Sequence, residues 1–286
     1  MSQWGNEAMT AARRALAEAV RASTGTTNER LVEAFATVPR ERFLPPGPWH
    51  LRDAAGARVT ADADPRHVYA DASIAVDLAR ELYNGAPGTV ARWFDALAIA
   101  PGDRVLHIGS GSGYYSAILA ATVGPTGHVT ALEVDEPLAR AAGENLRAWP
   151  WVDVRCGDGT TALPADIDVI VVHAGASHVR PEWLAAMAPG ARLLVPLTVA
   201  MPAMGATLGK GLAFVITRDT AGWRAAALSF VAIYSMVSAR DEALAATVGQ
   251  AMQHGGWDKV TRLRLDSHDK DNTCWCHWEG ICLGTS

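Results

Sequence analysis

At 286 residues, with 49% hydrophobic and 19% charged side chains and a formal net charge of −5, the chain is long enough for one globular core with additions at its ends. The mildly acidic balance, with no strong basic patch, argues against duplex nucleic acid as a partner. Apolar runs break within about ten residues, short of the ~18 a membrane span needs, and Glu7, Arg13, Arg14 and Glu18 interrupt any signal-peptide pattern, so a cytoplasmic protein is expected.

In chain order, residues 6–22 predict an amphipathic helix with Met9, Ala12, Leu16 and Val20 on one face. Thr26-x-x-Glu29 has the form of a capping box for a second helix carrying Leu31, Phe35 and Val38, which stops at Val38–Pro39. Pro45–Pro46–Gly47–Pro48 enforces an extended segment. Signals over residues 49–82 are weaker, although Ile74, Leu78 and Leu82 give Asp71–Tyr83 a helical spacing. A helix over Val90–Ile99 and the turn Pro101–Gly102–Asp103 lead into the strand Val105–Ile108. Further strands are expected at His128–Leu132, Trp151–Val154, Asp168–His173 and Arg192–Leu197, with helices opening at Pro137 and Pro181, the latter ended by Pro189–Gly190. Leu212–Arg218 and Ala226–Tyr234, joined by the turn-rich Asp219–Gly222, predict an antiparallel pair at one edge of a mainly parallel sheet. The expected fold is therefore α/β and Rossmann-like. Residues 1–87 read as an N-terminal helical cap and acceptor-side segment, 88–234 as a cofactor-binding core, and 235–286 as an extension with a helix near 241–253.

The richest stretch is Val105–Leu106–His107–Ile108–Gly109–Ser110–Gly111–Ser112–Gly113, a strand running into G-x-G-x-G at the start of a helix. Alternating glycines let a ligand lie against main-chain atoms. Twenty residues beyond Gly113 the next strand ends at Glu133, an acid placed for both hydroxyls of a ribose, followed by Val134. A dinucleotide fingerprint needs its third glycine one residue later, where Tyr114 stands. The shifted spacing resembles that of class I S-adenosylmethionine-dependent methyltransferases, which makes Asp158, in the Cys156–Gly157–Asp158–Gly159 loop, the candidate for the adenine amino group. A nicotinamide or flavin site and a silent Rossmann-like domain are the competing readings.

Cys156, Cys274, Cys276 and Cys282 do not form a secreted disulfide framework. Three of them lie in the Trp-rich tail Cys274–Cys282 beside His277, where a zinc site is conceivable, but C-x-C-H is not a usual knuckle spacing. Burial of an aromatic tail is the expectation, with no metal.

Val38–Pro39–Arg40–Glu41–Arg42–Phe43–Leu44–Pro45, Pro101–Tyr114 and Gly190–Pro196 together resemble the protein-L-isoaspartate O-methyltransferase family over roughly residues 28–218. The resemblance implies methyl transfer from S-adenosylmethionine to a carboxylate oxygen. Carried over, Gly109, Gly111 and Gly113 hold the methionine end, Glu133 the ribose and Asp158 the adenine, with His107, Ser110, Val134 and Gly159 as further cofactor-binding candidates. His107 occupies a commonly acidic position. The family's Thr-Ile-Ser-Gln-Pro motif aligns with Tyr83–Asn84–Gly85–Ala86–Pro87, so the serine position is Gly85.

Asn84, His173 at a strand end and His178 in the following loop are the acceptor-side candidates, since a hydroxyl or ammonium acceptor needs a base and a carboxylate does not. The leading expectation is an O-methyltransferase acting on a carboxylate or hydroxyl of a peptide or natural-product intermediate. Isoaspartate repair and a non-catalytic cofactor-fold binding protein are the alternatives. The expected partner is a small-molecule or peptide acceptor, with no nucleic acid and no membrane.

Overall fold

The structure, a computed structural model, describes residues 3–201, 207–237 and 239–285. It divides into two compact units, one of Met1–Gly102, Ser110–Ala131 and Asp135–Arg155, the other of Asp103–Gly109, Leu132–Val134 and Cys156–Ser286.

In the first unit, helix α1 (Gln3–Thr24) buries Leu16, Ala17 and Val20, and α2 (Glu29–Thr37) buries Leu31, Val32 and Phe35. The cap of α2 is Asn28, whose side chain accepts from Leu31 N at 3.2 Å. Thr26, expected to cap it, donates instead to the Asp95 carboxylate and accepts from Asn28 N. The helix begins at Glu29, so Asn28, and not Thr26 two residues earlier, directly precedes it, and its side-chain oxygen reaches a free N–H of the first turn. Val38 is extended, as a residue before proline must be, and Arg40–Phe43 makes one 3-10 turn.

Residues 49–82, weakly patterned in sequence, fold into a small antiparallel sheet of β1 (His50–Asp53), β2 (Gly56–Val59), β3 (Ser73–Asp77) and β4 (Leu82–Tyr83), in the order β2-β1-β3-β4. The helix expected over Asp71–Tyr83 is absent. Leu78, the middle of its supposed apolar stripe, is 47% exposed, whereas β-branched Ile74 pairs with Leu51 across the sheet and packs with Trp49 and Val68. Helix α3 (Pro87–Ala96) follows, with proline in its first turn. The glycine loop leads into α4 (Tyr114–Val123), almost wholly buried. Strand β6 (His128–Glu133) begins here, and Val129 N donates to Trp151 O, just before β7 (Val152–Cys156). Between them α5 (Glu136–Asn145) is capped by Asp135.

In the second unit, β5 (Arg104–Ile108), β8 (Ile167–Val172) and β9 (Met187–Ala200) pair in parallel. Gly109 N donates to Leu132 O, tying the end of β6 to that of β5. Helix α6 (Pro181–Ala186) passes directly into β9, which absorbs Pro189–Gly190 at a register shift against β8. Strands β10 (Leu208–Asp219) and β11 (Gly222–Tyr234) form the expected antiparallel hairpin. They do not end the sheet. β12 (Arg262–Arg264), β14 (Ile281–Gly284) and β13 (Cys274–Trp278) continue it, giving the order β13-β14-β12-β11-β10-β9-β8-β5 within this unit. Helix α7 (Glu242–Gln253), capped by Asp241, supports the added strands.

The aromatic tail is buried, as its composition suggests. Trp275, Cys276, Trp278 and Leu283 join Leu212, Phe214 and Val248 in one core, and the two indole N–H groups donate to Gly255 O and Leu244 O. No helix among the described residues is long and apolar enough to cross a membrane.

Candidate active site

The second unit gathers most of the residues singled out for the nucleoside. Gly109, at φ 81°, ends β5 where an added Cβ would lie 3.2 Å from the His173 carbonyl. Gly157 N donates to Glu133 O at 2.9 Å, which joins the loop after β7 to the end of β6. Glu133 is buried at that strand end, with Val134 exposed beside it. Asp158 Oδ1 accepts from both Thr160 N and Thr160 Oγ1 at 2.8 Å, an Asx turn that fixes its carboxylate. Gly159 has no room for a side chain, which would collide with Ile108, and its carbonyl accepts from Trp183 Nε1 at 2.7 Å. The Asp158 carboxylate is thereby held on a loop whose backbone is tied to the strand end that carries Glu133.

His107 and His173 lie on one face of the sheet, because His107 pairs with Val171 and His173 follows two residues later. Their rings approach at 3.4 Å, Nε2 to Nδ1, so one donates and the other accepts. Burial, and secondly the neighbouring His173, hold His107 well below the usual imidazole range. Burial alone pushes His173 down to about 4. Both rings are neutral at pH 7, and His173 is a weak proton acceptor there. His178 stands elsewhere, half-buried, against Ser177 Oγ at 2.9 Å, with Asp241 N donating to the same hydroxyl. Burial and then Arg180 lower its pKa, while Asp241 and Glu182 oppose them.

The first unit holds Ser110, Gly111, Gly113 and Asn84. Gly113 (φ 97°) caps α4, and Gly111 (φ 56°) faces open space, with no atom within 4 Å of an added Cβ. Ser112 Oγ donates to Phe43 O at 2.7 Å, and Asn145 Nδ2 to Ser112 O at 3.0 Å, so the loop is pinned from two sides. Asn84 Oδ1 accepts from Ile74 N at 2.9 Å and from Arg40 at 3.2 Å, which fixes the amide's orientation. The Gly85 carbonyl accepts from Tyr115 OH.

Arg40 was not singled out from the sequence. It is completely buried, donating to the carbonyls of Val68, Ala70 and Ala72 and lying 5.5 Å over the Tyr114 ring. A buried arginine with no carboxylate among those partners is a costly arrangement, and its only sequence signal is a charge between Pro39 and apolar Phe43–Leu44. In the same unit Arg40 Nε, Asn84 Nδ2, Ser110 Oγ and Tyr114 OH are buried without hydrogen-bond partners. Burial raises the Tyr114 phenol to about 12, so it stays a neutral donor. The open N–H groups of Arg40 and Asn84, with the Tyr114 hydroxyl beside Arg40, suit an anionic or carbonyl-bearing ligand.

Strand order, glycine loop and strand-end acid define a Rossmann-like nucleoside-binding fold. The chain belongs to the protein-L-isoaspartate(D-aspartate) O-methyltransferase family, which it matches over residues 11–204. It is 36% identical over 191 residues to the protein-L-isoaspartate O-methyltransferase of Aeropyrum pernix, covering 65% of this chain and 66% of that one. To the protein of the same name from Methanopyrus kandleri it is 33% identical, covering 65% and 76%. A solved protein-L-isoaspartate O-methyltransferase superposes with a TM-score of 0.64 at 21% identity, over 89% of this chain and 72% of the other. A putative one from Plasmodium falciparum, in complex with S-adenosyl-L-homocysteine, gives 0.59 at 17% identity, over 78% and 97%.

Proposed function

We propose that the chain methylates a carboxylate carried on a peptide or natural-product intermediate, using S-adenosylmethionine. The observation that carries this reading is Asn84. At the place of the family's hydroxyl-bearing motif, the chain presents an amide whose oxygen is already committed to Ile74 and Arg40, leaving Nδ2 as an unpaired buried donor. Such a donor suits an acceptor oxygen and not an acceptor N–H.

When bound, S-adenosylmethionine supplies an electrophilic methyl carbon on a sulfonium that departs as a neutral thioether. Within the second unit, the strand-end acid Glu133 and the fixed carboxylate of Asp158 suit the hydroxyls and amino group of such a cofactor. In this reading Gly109, Ser110, Gly111 and Gly113 hold its methionine end with His107 nearby, Glu133 and Val134 the ribose, and Asp158 and Gly159 the adenine. Asn84 Nδ2 and Arg40 orient the acceptor carboxylate. A carboxylate is ionised at neutral pH and needs no base, in keeping with a His173 whose basicity is suppressed. Residues 1–87 then form the acceptor-side cap, 88–234 the cofactor core and 235–286 the extension.

Repair of isoaspartyl residues is the second reading, favoured by the names of the relatives. A radiolabelled methyl-transfer assay on an isoaspartyl peptide, its aspartyl control and a panel of carboxylates separates the two. We expect isoaspartyl turnover at least ~100-fold below that of a member retaining the serine, about 2.7 kcal/mol of transition-state stabilisation. Robust isoaspartate-selective turnover returns the function to repair, and cofactor binding without turnover on any acceptor favours a binding protein.

A further inference from the structure

His268, Cys274, His277 and Cys282 play no part in the proposed reaction, lie beyond the residue-204 end of the family match, and converge in the C-terminal extension. One ligand atom from each lies within 4.8 Å of all the others. The hairpin β13–β14 explains how. In strict two-residue alternation Cys274 would share a face with Cys276 and oppose His277. A register shift between Cys274 and Cys276 breaks that alternation and brings Cys274 to the side of His277, whose cross-strand partner is Cys282. Cys276 is sent into the core, 1% exposed. The fourth group, His268, comes from the segment before the hairpin.

The local geometry is that of a metal centre. Cys274 Sγ and His268 Nε2 stand 3.5 Å apart, and a thiolate and an imidazole bound tetrahedrally to one zinc at ~2.3 and ~2.0 Å are separated by about 3.5 Å. His268 Nδ1 lies 2.9 Å from Asp266 O, so it can donate there while Nε2 serves as ligand, the second bond that metal-bound histidines make. Asp271 N donates to Cys274 Sγ at 3.4 Å. Arg264 braces both acids, at 3.1 Å from Asp266 and 3.2 Å from Asp271. His277 Nδ1 is buried with no hydrogen-bond partner, a cost that a bound ion in the cluster would offset. Cys274 and His277 also line a pocket of about 490 Å³, which gives an ion a way in.

We propose that these four side chains bind one zinc ion. Two thiolates and two imidazoles select zinc over magnesium or calcium, and the two thiol protons leave as the ion enters. Four protein ligands close the coordination sphere, so the ion is structural and not catalytic. It staples strands of three, five and four residues, too short to hold their place on main-chain bonding alone.

The test is metal analysis of the full chain purified under reducing conditions, followed by chelation and titration with cobalt. One zinc per chain is expected, with cobalt giving the intense thiolate charge-transfer and tetrahedral d–d bands. His268→Ala and Cys282→Ser should lose both signals, while Cys276→Ala keeps them. Should a ligand variant fail to fold, the wild-type chain supplies the readout. Chelation should raise amide hydrogen exchange across residues 262–285, and zinc should restore protection. A reduced wild-type chain that binds neither metal, or one whose mass is two hydrogens low through a Cys274–Cys282 disulfide, overturns the proposal.

Discussion

The end of β6 and the loop after β7 treat buried polar groups in one way, and the segment around Arg40 together with the Ser110 loop treats them in the opposite way. In the first region, carbonyls and carboxylates are engaged by the protein itself, as Leu132 O, Glu133 O and Asp158 Oδ1 show. In the second, Arg40 Nε, Asn84 Nδ2, Ser110 Oγ and Tyr114 OH have no partner. At ~1–3 kcal/mol for each unsatisfied group, four such atoms forfeit an amount comparable with the ~5–15 kcal/mol net stability of a whole domain. A cluster of that cost makes sense where a ligand completes it. On the proposed reading, the engaged groups belong to the cofactor side, and Asn84 Nδ2 and Arg40 to the acceptor side.

The largest test removes the strand-end acid. Glu133→Ala should weaken S-adenosylhomocysteine binding by about 2–4 kcal/mol, as two charge-assisted hydrogen bonds are lost and water recovers part of them. Calorimetry reads this directly, and unchanged affinity would take Glu133 out of the site and with it half of the comparison.

The buried histidines give the next effect, through pH. His173 titrates near ~6.5 in the unfolded chain but at about 4 in the fold, because burial penalises its charged form. The unfolded state therefore takes up the proton first. Stability present above pH ~6.5 is lost as pH falls toward 4, by up to ~3 kcal/mol. His173→Asn should flatten urea-derived stability across that window. An equally steep profile in the variant would mean that His173 is not the group responsible. With a carboxylate acceptor, kcat/KM should stay flat between pH ~6.5 and 8 in the wild type.

What was legible in the sequence follows the same division. The glycine loop, Glu133 and the Gly157–Gly159 turn are local signals, each readable within a few residues, whereas the bonds from Gly109 N to Leu132 O and from Gly157 N to Glu133 O come from the structure. Arg40 and Asn84 are linked across 44 residues by one side-chain bond, which no local periodicity can reveal. Asp71–Tyr83 misled because apolar spacing is blind to exposure, and a strand pairing with β1 outweighed it. In the tail, Cys276 is buried in the core while Cys274 and His277 are only partly buried, a separation set by a register shift between Cys274 and Cys276 that residue spacing does not display.

Asn84→Asp sharpens the comparison by changing one atom. The oxygen that accepts from Ile74 N and Arg40 is retained, so the fold and cofactor affinity should stay within about twofold, a few tenths of a kcal/mol. The open donor becomes an acceptor carrying charge, which repels a carboxylate substrate. Turnover expressed as kcat/KM should fall ~100-fold, about 2.7 kcal/mol. Equal loss of cofactor affinity and turnover would place Asn84 on the cofactor side.

The smallest effect separates the three glycines. An alanine at Gly109 would press on the His173 carbonyl at 3.2 Å, and one at Gly113 on the Leu146 side chain at 2.9 Å, so both should destabilise through contact as well as through backbone strain. Gly111→Ala meets nothing within 4 Å and bears only the strain of φ 56°, so its cost should be about 1 kcal/mol and the least of the three in urea melts. Its methyl group, however, projects into the space the cofactor is proposed to fill. Gly111→Ala should therefore bind S-adenosylhomocysteine at least ~10-fold more weakly, about 1.4 kcal/mol, despite being the best folded of the series. If stability and affinity instead fall in step across all three variants, the loop is a packing device, and the space beside Gly111 is not where the ligand lies.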